Sequence, residues 1–203
     1  MGEILLIRHG ETTWSASQRH TSYTDLPLTP DGERQARALG PMLAGRQFVR
    51  LLSSPRQRAL RTAQLAGLDV SAIDPELAEW NYGEYEGRTT VDIQEDHRHW
   101  SIWTDGCPGG ESPAQVGERL DRVLARVTPL LDRGNVGLVG HGHSLRVLGA
   151  RWLGLPPAAG GLLRLDTATV SVLGHEHGRQ VIQRWNLPAP PPPGSEPAPG
   201  ARH

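Results

Sequence analysis

Short, unbroken apolar runs alternate along this chain with stretches whose apolar residues recur every three or four positions. The first run, Ile4-Leu5-Leu6-Ile7, lies in a segment, residues 3–7, that predicts a strand buried on both faces of a parallel sheet. Residues 11–28 are polar and irregular and read as a loop over a site. Thr29-Pro30-Asp31-Gly32-Glu33 is a helix start, with Thr29 as N-cap, Pro30 in the first turn, and Ala36, Leu39 and Leu43 as the apolar stripe. Val49 to Ser53 is a second strand, and Ser54-Pro55 opens a helix through Ala59, Ala63 and Leu65 that stops at Gly67. A short strand is expected over residues 70–73, a loop over 77–87 and a helix over 90–96. The Gly/Pro-rich stretch 105–112 is expected to be mobile, and 113–131 to be a long amphipathic helix with Val116, Leu120, Val123, Leu124 and Val127 on one stripe. A strand over 136–140, a helix over 143–153 and a hairpin of 170–173 with 181–185 complete the pattern.

Strand and helix alternate, so the expected fold is an α/β three-layer sandwich, a central, mostly parallel sheet flanked by helices. Residues 1–186 are assigned to one domain. The tail 187–203 holds seven prolines and almost nothing apolar, and is expected to be disordered. In folds of this class, sites lie beyond the carboxyl ends of the strands, and His9, Ser54 and His141 all fall at such ends.

Composition narrows the chemistry. With 37% hydrophobic and 21% charged residues, the chain has the balance of a soluble globular protein. The net charge of −1 and the absence of an Arg-aromatic stripe argue against a nucleic-acid partner, and no apolar run approaches transmembrane length. Every one of the 21 basic residues is Arg, so neither a P-loop lysine nor a Schiff base is available, and a phosphate must be held by guanidinium forks. A single cysteine, Cys107, excludes an intrachain disulfide framework and a multi-Cys metal site. The pairs His97/His99 and His175/His177 are weak candidates for a metal site, because neither has a third ligand beside it. The chain shows no signal-peptide pattern, which points to the cytoplasm.

Phosphoryl transfer to water needs a nucleophile, cations on the phosphoryl oxygens and a group to protonate the leaving oxygen. Arg8-His9-Gly10-Glu11 offers His9 as nucleophile and Arg8 as clamp. In Ser53-Ser54-Pro55-Arg56-Gln57-Arg58, a helix N-terminus faces the same region and Arg58 can reach it. Glu79 stands among aromatics in Glu79-Trp80-Asn81-Tyr82, where desolvation would raise its pKa toward that of a general acid. His141 in Gly140-His141-Gly142-His143 is a second donor, expected to stay protonated beside the phosphate while His9 is neutral.

At these residues the chain resembles the histidine phosphatase superfamily, in the branch related to cofactor-dependent phosphoglycerate mutase. The matching pieces are Arg8-His9-Gly10-Glu11-Thr12, Asp25-Leu26-Pro27-Leu28-Thr29, Ser53-Ser54-Pro55 with Arg58-Ala59, Glu79 with Gly83 and Glu86-Gly87, and Gly140-His141-Gly142 with Leu145-Arg146. The resemblance runs from about Ile4 to Trp185. It implies a phosphoglycerate mutase-like fold, phosphorylation of His9, proton donation by Glu79, a phosphate pocket completed by Arg8, Arg58 and His141, and no metal or other cofactor.

Trp14-Ser15, Arg19-His20-Thr21-Ser22 and the segment 105–112 are similar to the small acid and sugar phosphatases, including the sedoheptulose-bisphosphatase-like group. Many members carry Asn in place of Ser15 and Gln-Gly in place of Thr21-Ser22, which bears on substrate identity. The expected substrate contacts are Ser15, Arg19, His20, Thr21, Ser22, Tyr82, Trp103, Cys107, Gly142, His143 and Arg146. The expected partner is a small phosphorylated metabolite, with no nucleic acid and no membrane, and a homodimer is left open. Mutase chemistry is the alternative, and His99 to Glu111 counts against it: the segment contains no Arg to hold a second acidic group. A silent phosphometabolite-binding protein is a second alternative, which loss of His9, Glu79 or His141 would mark; all are present.

Overall fold

The computed structural model describes residues Met1–Ala189. In chain order it contains β1 (Ile4–Arg8), α1 (Thr13–Ala16), α2 (Pro30–Ala38), α3 (Gly40–Leu43), β2 (Phe48–Ser53), α4 (Gln57–Leu65), β3 (Ala72–Ile73), α5 (Thr90–Asp96), α6 (Ile102–Asp105), α7 (Pro113–Val127), β4 (Asn135–Gly140), α8 (Gly142–Trp152), β5 (Thr169–Glu176) and β6 (Arg179–Pro188). The six strands form one sheet in the order β3-β2-β4-β1-β5-β6. β1 to β4 run parallel, and β5 and β6 join as an antiparallel pair on the β1 side.

Strand side chains alternate between two buried faces, which is why β1 reads as a continuous apolar run. Ile4 and Leu6 enter one core with Val116, Leu120, Val123 of α7 and Leu145, Leu148 of α8. Leu5 and Ile7 enter the other with Leu39, Leu43, Ala59 and Ala63 from the α2–α4 side. The three-layer α/β sandwich expected from the alternation is therefore the architecture observed.

Local deviations have local causes. The helix expected from residue 30 through 43 is broken into α2 and α3, because Pro41 has no N–H for the continuing ladder. The site loop contains the single turn α1, whose N-cap Thr12 and Ser15 form a capping box. α4 has no side-chain cap of its own at Arg56. Asp25 of the site loop supplies one, accepting the Gln57 amide at 3.0 Å. Residues 105–112, expected to be mobile, are pinned: the Gly106 carbonyl accepts the Trp100 indole N–H at 2.8 Å and the Pro108 carbonyl accepts the Glu84 amide at 2.9 Å. Gly83 makes that approach possible, since a Cβ there would sit 2.1 Å from the Pro108 carbonyl oxygen and φ is +52°. The tail boundary also moves. Leu187 and Pro188 are the last residues of β6, paired with Val170 and Thr169. The expectation of disorder for residues 190–203 lies outside the described residues.

Candidate active site

β1 and β4 are neighbours in register, Arg8 beside Gly140, so the residues that follow them meet at the carboxyl edge of the sheet. The His9 amide bonds the Gly140 carbonyl at 3.1 Å, and the His9 and His141 rings lie 5.1 Å apart at 62°. Both rings are buried. His9 Nδ1 lies 2.7 Å from the Gly10 carbonyl. A carbonyl only accepts, so Nδ1 carries the hydrogen. Burial, then Arg58 and Arg8, hold the His9 pKa well below its usual range. The ring is therefore neutral, with a bare lone pair on Nε2.

His141 is held at both nitrogens. Arg58 Nε donates to Nδ1 at 3.2 Å, which leaves the hydrogen on Nε2, 2.7 Å from Ser54 Oγ. Burial, Arg58 and His9 all lower its pKa. The expectation of a protonated His141 concerned the phosphate-bound site; before an anion arrives the ring is neutral, because the Arg58 and Arg8 guanidiniums make a third buried cation too costly. Three of the remaining four Arg58 hydrogens go to the carbonyls of Thr24, Thr21 and Ser22. Arg8 bonds the Leu165 carbonyl, and its buried Nε has no partner. Desolvation lowers its pKa, with Glu79 opposing. An under-compensated guanidinium in a low-dielectric pocket favours an arriving anion. Gly142 leaves room for it, because a Cβ there would stand 3.2 Å from the Arg8 Cζ.

Glu79 arrives from the loop before α5. Its carboxylate accepts three backbone amides, Trp80 at 2.9 Å, Ser144 at 2.8 Å and His143 at 3.0 Å. The N-terminus of α8 therefore holds this group, in addition to the aromatic surroundings expected from the sequence. Burial and the nearby Glu79 push the Tyr82 hydroxyl well above its usual pKa, so it is protonated. It lies 2.7 Å from His143 Nδ1. Burial, then His20 and Arg146, keep His143 neutral, so Tyr82 donates and the His143 hydrogen sits on Nε2.

These groups open onto a pocket of about 460 Å³. A larger, open groove of about 850 Å³ beside α4 contains none of them, so size is no guide to the chemistry here. Arg8, His9, Ser15, Arg19, His20, Thr21, Glu79, Tyr82, Gly142, His143 and Arg146 line the smaller pocket. Arg58 and His141 stand behind His9. Three expected substrate contacts do not line it. Ser22 is buried in the loop, its amide on the Glu86 carboxylate and its hydroxyl on the Glu79 carbonyl. Trp103 is a platform 4.4 Å beneath the Arg146 guanidinium. Cys107 belongs to the core and borders a different depression, and burial lifts its thiol pKa to about 12. Arg98 borders that same depression.

The model of the histidine phosphatase superfamily (branch 1) matches residues 4–188. The chain belongs to this family. An acid phosphatase of Mycobacterium tuberculosis is 44% identical over 169 residues, 82% of this chain and 83% of that protein. A sedoheptulose 1,7-bisphosphatase of Saccharomyces cerevisiae is 37% identical over 182 residues, 74% of this chain and 67% of that one. The solved structure of a Mycobacterium tuberculosis open-reading-frame product superposes with a TM-score of 0.90 at 42% identity, covering 93% and 98% of the two chains.

This histidine phosphatase also brings Leu165, Asp166 and Thr167, from the segment before β5, and Gln18 and Thr90 to the pocket. Sequence reasoning missed them because they carry no motif and are joined to the site only by the fold. Asp166 is turned into place by Asn186, whose Nδ2 donates to its carboxylate at 2.8 Å.

Burying neutral imidazoles has a consequence for stability. His9, His20, His141 and His143 all have lowered folded-state pKa values, that of His20 at about 4. Below pH of about 6.5 the unfolded chain takes up protons at these rings while the folded protein does not, so stability falls as pH drops. Each imidazole contributes a slope of about 1.4 kcal/mol per pH unit in that window. Denaturant titrations between pH 7 and pH 5 are expected to show this decline, and His20→Asn to reduce it by one proton. A flat profile over the window contradicts the neutral assignments.

Proposed function

We propose that this histidine phosphatase hydrolyses a phosphomonoester of a small metabolite through a phosphohistidine on His9. The observation that carries the reading is that Arg8, His9 and Glu79 line one pocket, with His141 against the His9 ring and Arg58 bonded to His141, the five drawn from four separate stretches of chain. The names of the relatives, an acid phosphatase and a sugar bisphosphatase, support the phosphatase reading.

His9 Nε2 attacks phosphorus in line with the leaving oxygen, forming the N–P bond as the P–O bond breaks. Glu79 enters as the carboxylic acid and gives its proton to that oxygen; the alcohol departs and leaves the carboxylate that the three backbone amides hold. Water then attacks phosphorus, Glu79 takes back a proton, and the N–P bond breaks to release phosphate. Arg8 and Arg58 supply the charge that stabilises the phosphoryl oxygens. A phosphoryl oxygen at His9 competes with the Ser54 hydroxyl for the Nε2 hydrogen of His141, which makes neutral His141 a donor without a second charge. Ser15, Arg19, His20, Thr21, Tyr82, Gly142, His143 and Arg146 are placed around the alcohol portion of the substrate. The Nε2 hydrogen of His143 and the Arg146 guanidinium are donors suited to its oxygens. The cytoplasm is the proposed compartment, and residues 1–186 the catalytic domain.

Among the described residues no group of three His, Cys, Asp or Glu could hold a metal ion, and no helix is long and apolar enough to cross a membrane. Phosphate release from a panel of phosphometabolites is therefore expected to proceed undiminished in excess chelator, with phosphoglycerate mutase activity assayed in parallel. Loss of activity in chelator that a divalent ion restores, or mutase turnover exceeding hydrolysis, contradicts the proposal.

A further inference from the structure

The loop that carries Glu79 is gripped from outside the pocket. Arg119 projects from α7 and is only 8% exposed. Its Nη1 donates to the Glu76 carbonyl at 2.7 Å and the Ala78 carbonyl at 2.9 Å, the backbone just before Glu79. Its Nε and Nη2 reach the Glu111 carboxylate at 2.7 and 3.1 Å, a two-point fork. Glu111 in turn holds the backbone just after Glu79. Its carboxylate accepts the Asn81 amide at 2.8 Å, and its carbonyl accepts the Trp80 indole N–H at 2.9 Å. The loop is thus bracketed on both sides of Glu79 by one partly buried ion pair, while the α8 amides fix the carboxylate itself.

An ion pair contributes little net stability whether it is exposed to water or desolvated, so stability alone does not account for this one. What it adds is geometry: a planar fork that spans a carboxylate and two carbonyls at once, which a point charge on Lys cannot reproduce. We propose that Arg119 and Glu111 are positioning residues for proton transfer, setting the place of the Glu79 carboxyl against the leaving oxygen without touching substrate. The proposal rests on the reading of Glu79 as proton donor.

The test compares Arg119→Lys, Glu111→Gln and Glu79→Gln on 4-nitrophenyl phosphate, whose leaving group needs no proton, and on glycerol phosphate, whose leaving group does. Arg119→Lys is expected to lower kcat/KM, which reports the first phosphoryl transfer, on glycerol phosphate by roughly ten- to a hundredfold, with little change in kcat/KM on 4-nitrophenyl phosphate. Glu111→Gln keeps an oxygen for the Asn81 amide and gives the same selective loss if Arg119→Lys yields no folded protein. In a Glu79→Gln background neither change is expected to add further selectivity, because the group being positioned is gone. Equal slowing of both substrates by the clamp variants, or none, alongside a selective loss in Glu79→Gln, overturns the clamp alone. Equal slowing by Glu79→Gln itself overturns the proton-donor reading, and the clamp with it.

Discussion

His9→Ala is expected to lose phosphatase activity by roughly 10⁴-fold or more and to trap no phosphate on the protein, whatever the leaving group. The expectation follows from the lack of a substitute nucleophile in reach. Both His141 nitrogens are engaged, by Arg58 and Ser54. His143 Nδ1 accepts the Tyr82 hydroxyl. The Cys107 thiol lies in another depression with its pKa pushed up to about 12, so almost no thiolate exists at neutral pH. Rapid quenching of the wild-type protein with labelled substrate should give an acid-labile, base-stable phosphoprotein, and the variant should give none. Vanadate binding by the variant, weakened but measurable, shows that the arginine cradle is still assembled. Hydrolysis at the wild-type rate by His9→Ala contradicts the assignment.

The second large effect is selective. Glu79→Gln is expected to lower kcat/KM, which reports the first phosphoryl transfer, on alkyl phosphates by roughly 10²- to 10⁴-fold and on 4-nitrophenyl phosphate much less, since only a poor leaving group needs the proton in that step. Glutamine retains one oxygen for the Trp80 and Ser144 amides, but its NH₂ would face the His143 amide, which now donates to the carboxylate. That lost hydrogen bond costs about 1 kcal/mol and acts on stability, so the melting temperature is measured beside kcat/KM. Leaving-group dependence is the deciding quantity, because a merely loosened protein slows all substrates together. A slope unchanged from the wild type contradicts the assignment.

Much of this site was legible before any folding was considered. Apolar runs that end in Arg8-His9-Gly10 and Gly140-His141-Gly142 mark strands buried on both faces, and parallel strands carry chemistry at their carboxyl ends. Only the register of β1 on β4 brings the two histidines within 5.1 Å. The neutral state of His141 before phosphate binds was not legible, because its charge depends on Arg58, 83 positions away, and on complete burial. Ser22, Trp103 and Cys107 were assigned to the substrate by their segments, but a segment near a pocket has an inner side, and these three side chains face it. The mobile reading of 105–112 failed for the same reason: Gly and Pro signal a chain without regular structure, which is not a chain without partners.

The α/β layering, the strand ends at the site and the residues proposed as nucleophile, cations and carboxyl group are all legible along the chain, because periodicity and strand-end motifs are written within a few residues. Folding sets the rest: both central histidines are pushed toward their neutral forms, Asp166 and Thr167 join the pocket, and Arg119 and Glu111 bracket Glu79. Desolvation and hydrogen bonding depend on what folding packs around a side chain, and no spacing along the chain encodes that.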